Sequence, residues 1–185
     1  MAGIWRVSDA RKIPASEGWF AHAGERMLHP MNTTSLQQYE SYAFFGAHTT
    51  LKATAASTNG QLCMTESVAP RGTGSPLHIH HNEDEWFYVL EGELTVWCDG
   101  KTIVAGAGDF VFGPRDLPHT FIVSSDEARF LLATQPADFE GFVRALAEPV
   151  ETLETGPTGP PDMDRIMAAA AAANIEIIGP PGIPA

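Results

Sequence analysis

Three histidines and one glutamate have the types and spacing to do chemistry together. His78 and His80 are two residues apart, so on a β-strand both side chains point to the same face. Glu85 has the opposite parity, but the polar run 81–84 favours a turn that resets the alternation before a new strand begins. His119 follows a proline-containing loop and starts a third strand. The sequence therefore predicts that the four side chains meet at one point.

Neutral imidazoles and one carboxylate are ligands for a divalent transition metal. Fe(II), Mn(II), Ni(II), Co(II) and Zn(II) all fit this donor set, so the sequence predicts one such metal per chain without choosing its identity. A metal that prefers six ligands keeps two positions open for exchange when the protein supplies four. We predict that Glu85 is also the catalytic base, because a weakly held carboxylate can accept a proton from a substrate hydroxyl.

The neighbouring polar residues are expected to stay outside the site. Glu83 and Asp84 are predicted to be solvated, and His81, which points away from His80, is predicted to lie at the surface. Arg71 and Arg115 flank the loops that carry the site and are expected to be surface charges.

These side chains fall in two blocks that resemble the two motifs of the cupin superfamily. The first block matches its motif in identity and spacing at Gly72, His78, His80, Glu85 and Gly92. The second block matches at Gly108, Pro114 and His119, with Asp116 where glycine is usual and Val123 where asparagine is usual. Aspartate is tolerable at such a turn position. The strand pattern extends the resemblance over residues 41–135.

Within the superfamily, the overall plan resembles the small quercetin dioxygenase-like proteins. That resemblance implies that His78, His80, Glu85 and His119 hold the metal. It also implies that Glu85 deprotonates a flavonol hydroxyl before ring cleavage with loss of carbon monoxide. The same four residues also serve isomerases, decarboxylases and cyclases among cupins, so the resemblance leaves the reaction open.

The strand pattern predicts an all-β fold with a jelly-roll barrel, an N-terminal arm and a C-terminal helical extension, and the resemblance implies that the barrel is the cupin double-stranded β-helix. Short β-rich runs separated by turn signals favour this closed architecture. They lie at residues 42–45, 48–55, 61–68, 85–90, 94–98, 101–104, 109–112, 119–124 and 128–134. An Asn59-Gly60 pair predicts a hairpin between the second and third of these runs.

We divide the chain into an arm (1–40), the barrel (41–135) and a helical, Pro/Gly-rich extension (136–185). In the extension, Asp138 and Asp162 are predicted to cap two helices, residues 148–161 to form a linker, and residues 175–178 to add an edge strand.

The apolar residues around the site favour an aromatic or enolic small-molecule substrate over a sugar phosphate. Phe87, Phe121 and Val123 are candidate substrate contacts, although the aromatic residues also suit the barrel core. Three hypotheses follow, in order of preference. The first is a metal-dependent dioxygenase of quercetinase type that consumes dioxygen. The second is a non-redox isomerase, cyclase or dehydratase that uses the metal as a Lewis acid, and the third is a small-molecule-binding module.

Composition limits the partners. The net charge of −12, from 11 basic and 23 acidic residues, argues against nucleic acid or an anionic membrane as partner. The N-terminus lacks an apolar signal core, so we expect a cytoplasmic protein in which Cys63 and Cys98 are buried thiols. Bulky side chains on both faces of the strand at 86–90 predict a homodimer.

Overall fold

A computed structural model of the chain describes residues 5–6, 39–150 and 162–184, and these residues form two antiparallel β-sheets with three helices. The larger sheet has eight strands in the order β1-β9-β6-β11-β4-β3-β2-β12, and the smaller sheet has five in the order β13-β5-β10-β7-β8. The predicted all-β jelly-roll architecture is confirmed. No helix in the described ranges has the length and apolar character needed to cross a bilayer.

The strands are β1 (Trp5–Arg6), β2 (Ser41–Phe44), β3 (Ala47–Ala53), β4 (Cys63–Pro70), β5 (Pro76–His80), β6 (Asp84–Glu91), β7 (Glu93–Cys98), β8 (Lys101–Gly106), β9 (Phe110–Gly113), β10 (His119–Val123), β11 (Glu127–Gln135), β12 (Glu148–Pro149) and β13 (Ile175–Pro181). The helices are α1 (Ala55–Thr58), α2 (Phe139–Leu146) and α3 (Met163–Ala172).

Buried and exposed side chains alternate along the central strands, and the buried ones form the core between the sheets. In β6, Phe87 and Val89 are buried while Tyr88 between them is 42% exposed. The same period of two puts Leu94 and Val96 of β7 inside. The inward faces of both sheets therefore bury a continuous apolar core, and the strand carrying Glu85 is part of it.

Both cysteines are buried free thiols, as predicted. Burial raises the pKa of Cys63 to about 12 and that of Cys98 to about 11, so both remain protonated at neutral pH.

Two local predictions are correct in outline and wrong in detail. Strands β3 and β4 pair antiparallel as the predicted hairpin requires, and Asp138 occupies the N-cap position of α2, but the tight turn and the side-chain cap are absent. At the expected Asn59-Gly60 hairpin the chain instead forms α1, with Thr54 as its N-cap, and Asn59 takes a positive φ of 55° as the C-cap. Thr54 and Ser57 complete a capping box, which stabilises this single helical turn. The side chain of Asp138 makes no cap hydrogen bond to α2, whereas Asp162 caps α3 as predicted by accepting from the backbone N–H of Arg165.

The C-terminal extension is part of both sheets. Strand β12 pairs with β2 at the edge of the larger sheet, and β13 pairs with β5 at the edge of the smaller one. The predicted edge strand is thus confirmed, and it lies directly beside the strand that carries two of the site histidines. The arm, apart from residues 5–6 and 39–40, and linker residues 151–161 lie outside the described residues. The division into three regions and the homodimer stay predictions.

The alternation in β6 generates a prediction about stability. Replacing Phe87, which is 2% exposed and contacts the rings of Phe121 and Phe130, with Ala should lower the free energy of unfolding by about 3–5 kcal/mol. Urea denaturation followed by circular dichroism measures this change. The matched control, Tyr88→Ala on the opposite face, should cost less than about 1 kcal/mol. Equal losses in the two variants would contradict the assignment of faces.

Candidate metal centre

The four predicted side chains come together inside the barrel. One ligand atom from each of His78, His80, Glu85 and His119, here called the His/Glu cluster, lies within 4.8 Å of the others. All four residues are buried, the least so being His78 at 8% exposure. Glu85 approaches two imidazoles, with Oε2 at 3.2 Å from Nε2 of His119 and Oε1 at 3.8 Å from Nε2 of His80.

Strand pairing explains why residues distant in sequence meet here. His119 on β10 pairs directly with His78 on β5, and their ring centroids are 4.3 Å apart. His80 lies two residues along β5 on the same face, while Glu85 enters from β6 in the opposite sheet after the bend at residues 81–83. The predicted reset of alternation at this bend is therefore confirmed. The cluster spans the interior between the two sheets.

Hydrogen bonds fix which nitrogen of each imidazole faces the centre. Nδ1 of His78 donates to the carbonyl oxygen of Pro76, and Nδ1 of His119 donates to that of Leu117, both at 2.8 Å. Nδ1 of His80 donates to Oε2 of Glu83 at 3.0 Å. Carbonyl and carboxylate oxygens only accept, so each neutral ring carries its hydrogen on Nδ1 and directs the lone pair of Nε2 inward.

The cluster thus joins four electron-pair donors in a buried space. Among the described residues, Nε2 of His80, Nε2 of His119 and Oε2 of Glu85 are buried without a hydrogen-bond partner of acceptable geometry. Buried polar atoms without partners are costly, and a bound cation would give all three of them a partner. Three imidazole nitrogens and one carboxylate are the donors that a divalent transition metal accepts. The residues present therefore fit the metal that the sequence predicts.

Burial and mutual contacts shift the pKa values of three residues of the cluster. Burial lowers the pKa of His78 to about 3, with a further contribution from the neighbouring imidazoles, so this ring is neutral. Burial by itself would raise the pKa of Glu85. The hydrogen-bonding contact with His119 and the charges of the three imidazoles outweigh this effect and lower the pKa to about 2. Burial likewise opposes charge on His119, yet the Glu85 carboxylate raises its pKa overall. Glu85 is therefore an anion at neutral pH.

Glu83 is the polar residue that sequence reasoning misplaced. It was expected to be solvated, but it is 1% exposed. One carboxylate oxygen accepts from His80, and the other accepts from the backbone N–H of Phe139 at 2.6 Å, the first residue of α2. Glu83 thus provides the cap that Asp138 does not. Its spacing of three residues from His80 across a bend was the only sequence signal for this role.

A cavity adjoins the His/Glu cluster. The space open to the centre of a water-sized molecule is about 80 Å³, and His78, His80 and Glu85 form part of its wall. Six phenylalanines form most of the remaining apolar wall, namely Phe44, Phe45, Phe121, Phe130, Phe139 and Phe142. No Lys or Arg is among the described residues that line it. The site therefore opens into an aromatic space whose described lining has no basic side chain.

The three candidate substrate contacts have different positions. Phe121 lines the cavity. Phe87 and Val123 belong to the hydrophobic core, 2% and 1% exposed, and neither is among the described residues of the cavity wall. Their inward orientation is correct, but they lie where the two sheets pack together, so side chains fill the space around them. Of the three, only Phe121 has a surface that faces the cavity.

The flanking charged residues are at the surface, as predicted. Arg71 pairs with Asp126, and Arg115 pairs with Asp84, whose pKa the guanidinium lowers. His81 is exposed and lies between Asp116 and Glu176. Asp116, at the position where the cupin motif usually has glycine, takes a positive φ of 63°, so the predicted turn conformation is confirmed.

Comparison with known proteins agrees with this geometry. The model of the cupin domain family matches residues 64–134, which include the whole His/Glu cluster. Quercetin 2,3-dioxygenase of Bacillus subtilis (strain 168) is 35% identical over 94 residues, which make up 51% of this chain and 28% of that protein. Acetate kinase EutQ of Clostridioides difficile (strain 630) is 40% identical over 58 residues, 31% of this chain and 36% of that protein. The chain spans well under half of the length of either relative.

Among solved structures, an RmlC-like cupin from Shewanella frigidimarina has a TM-score of 0.48 and 24% sequence identity, covering 56% of this chain and 89% of that chain. The family match, the relative and the two-sheet jelly roll agree with the motifs read from the sequence. Residues 64–134 of this chain are a cupin domain, and 94 residues of the chain resemble a quercetin 2,3-dioxygenase.

Proposed function

We propose that the protein is a metal-dependent enzyme that acts on an aromatic or enolic hydroxyl compound, with dioxygenation of quercetinase type as its reaction. The observation that carries this proposal is the convergence of three imidazoles and one carboxylate in a cluster, of which His78, His80 and Glu85 line an aromatic cavity. The likeness to a quercetin 2,3-dioxygenase over 51% of the chain supports the choice of reaction.

His78, His80, Glu85 and His119 would hold the metal. A bound divalent metal supplies Lewis acidity, which lowers the pKa of a coordinated substrate hydroxyl. Glu85 is the group that takes the released proton, because its buried carboxylate is ionised at neutral pH and lies at the cavity wall. Its Oε2 atom lies 3.2 Å from Nε2 of His119.

The cavity wall restricts the substrate. Aromatic side chains and the hydroxyls of Thr49, Thr65 and Ser67 line it, and Glu85 is the one acidic residue among its described lining. The described lining provides no Lys or Arg to pair with a sugar phosphate beside the metal. A neutral enol or phenol is therefore the substrate class that fits.

Glu83 is proposed to position the site. Its carboxylate connects the ring of His80 to the first backbone N–H of α2, and α2 in turn supplies Phe139 and Phe142 to the cavity wall. A hydrogen bond to Nδ1 of a histidine ligand orients the ring and makes Nε2 a better donor. One buried carboxylate therefore links metal binding to the shape of the cavity.

Metal content provides the first prediction from the proposed function. Protein purified without chelators or metal-affinity resin should contain about one transition metal per chain, measured by mass spectrometry of the elements. The double variant His80→Ala, Glu85→Ala should lose it, because half of the donor set is removed. His81→Ala is the matched control, since it removes an exposed imidazole next to His80, and should keep the metal. A metal-free wild type that also fails to take up Fe(II), Mn(II), Ni(II), Co(II) or Zn(II) would disprove the site.

Oxygen consumption provides the second prediction. Adding quercetin or a simpler enol to the metal-loaded wild type and to His81→Ala should start oxygen uptake at an oxygen electrode, because the activated substrate reacts with dioxygen. The His80→Ala, Glu85→Ala variant should show none above the rate without protein. If the protein binds metal at full occupancy but takes up no oxygen with quercetin or with simpler enols, the dioxygenase hypothesis is rejected. This result would favour a non-redox cupin.

The third prediction concerns Glu83. Glu83→Gln should weaken metal binding by about 10- to 100-fold in Kd, measured by competition with a chromophoric chelator. The amide has a single acceptor oxygen, so the ring of His80 or the N–H of Phe139 loses its partner. Asp84→Asn makes the same chemical change one residue away, where the carboxylate pairs with Arg115 at the surface. This control should bind metal like the wild type. A Glu83→Gln protein with unchanged Kd but a lower Tm would restrict Glu83 to holding α2.

A further inference from the structure

One exposed aromatic residue at the cavity has an unusual backbone conformation. Phe45 and Gly46 are the two central residues of the hairpin between β2 and β3, and both have positive φ, 48° and 81°. A two-residue hairpin of this kind is a type I′ turn, for which Asn-Gly and Asp-Gly are the favoured pairs. A bulky residue such as Phe is disfavoured there because its Cβ collides with the backbone.

The rest of the chain follows the usual preference. Among the described residues, the other non-glycine positions with positive φ are Asn59, Asp99, Asp116 and Asn174. The hairpin between β7 and β8 uses Asp99-Gly100 for the same type of turn. Phe45 is therefore the exception among them. Residues kept in a strained conformation are concentrated at active sites and ligand-binding positions.

The side chain of Phe45 lies at the edge of the cavity. Its side chain lines the cavity although the residue is 37% exposed, so it lies where the cavity reaches the surface. Its ring is close to parallel with that of Phe142 from α2, at an interplanar angle of 24° and a centroid distance of 6.1 Å. The contacts of Phe44 with α2 are instead edge-on, at 79° to Phe139 and 88° to Phe142.

A continuous series of rings connects this pair with the His/Glu cluster. The ring of Phe139 lies 5.9 Å from that of His80 and 5.8 Å from that of Phe142, which in turn contacts Phe45. A flat ligand that enters beside Phe45 therefore meets aromatic surface along the whole way to the cluster.

We propose that Phe45 and Phe142, here called the aromatic clamp, bind a planar aromatic ring of the substrate at the cavity mouth and set a preference for planar aromatic hydroxyl compounds over aliphatic enols. This inference rests on the proposed function and specifies its substrate class. The ring face of Phe45 contributes stacking that an aliphatic side chain of similar size lacks. The turn tolerates the disfavoured residue because that ring is needed at the mouth.

The experiment is an anaerobic calorimetric titration of the protein as purified with two probes. The probes are 2-naphthol, a planar aromatic hydroxyl compound, and acetylacetone, an aliphatic enol. Phe45→Leu should weaken 2-naphthol binding by about 2- to 12-fold in Kd and leave acetylacetone unchanged. Phe45→Tyr keeps the ring and should restore the wild-type Kd.

Two further variants separate binding from structure. Phe45→Asn creates the favoured Asn-Gly turn, so it should fold with a Tm within about 4 °C of the wild type and still lose 2-naphthol affinity. Phe110→Leu is the matched control, since Phe110 contacts Trp86 and is not among the described residues of the cavity wall. It should bind both probes like the wild type.

The outcomes distinguish the two proposals. A wild type that does not bind 2-naphthol, or a Phe45→Leu protein with unchanged Kd for 2-naphthol, overturns the clamp. Equal weakening of both probes in Phe45→Leu also overturns it, because the residue then only supports the hairpin. Selective loss of 2-naphthol binding supports the clamp. If that loss occurs in a protein that consumes no oxygen, the clamp stands while the dioxygenase is rejected.

Discussion

An ionised carboxylate buried among imidazoles is the constraint on which the rest of the structure depends. Glu85 is 2% exposed, and burial alone would favour its neutral form. Contact with His119 and the charges of the three imidazoles outweigh burial and lower the pKa of Glu85 to about 2. Each imidazole is held in place by a bond from its Nδ1. The histidines cannot turn away from Glu85 without leaving these acceptors unpaired. The fold therefore preserves a set of donors that suits a cation.

The surroundings of this cluster strengthen its electrostatics. Phenylalanine side chains cover the space next to the cluster and keep the effective dielectric constant low. In such surroundings a charged partner is attracted more strongly than in water, and a substrate hydroxyl gains little from solvent. The described lining of this wall contains no Lys or Arg. The site therefore combines an ionised carboxylate with an aromatic wall.

The C-terminal extension completes the site. Strand β13 pairs with β5 so that Ile175 lies opposite His80 and Ile177 opposite His78. Helix α2 contributes Phe139 and Phe142 to the cavity, and Glu83 holds its first turn. These elements therefore form part of the cavity, although a barrel of residues 41–135 contains all four proposed ligands.

The sequence by itself determined the donor set and the fold class. The spacing of His78 and His80, the polar bend before Glu85 and the alternation along the strands depend on local geometry with a period of two, and local geometry can be read from neighbouring residues. The turn at Asp116 and the capping of α3 by Asp162 were predictable for the same reason.

Only the tertiary structure decided which polar groups are buried and which apolar ones face the cavity. Glu83 lies in a polar bend, where the neighbouring residues predict that it is solvated. Helix α2, which begins 56 residues later, covers Glu83, and the backbone N–H of Phe139 is its second hydrogen-bond partner. Phe87, Val123 and Phe121 share an inward orientation, yet packing between the sheets encloses the first two and leaves the third at the cavity. Burial and cavity shape depend on elements distant in sequence, so no local pattern records them.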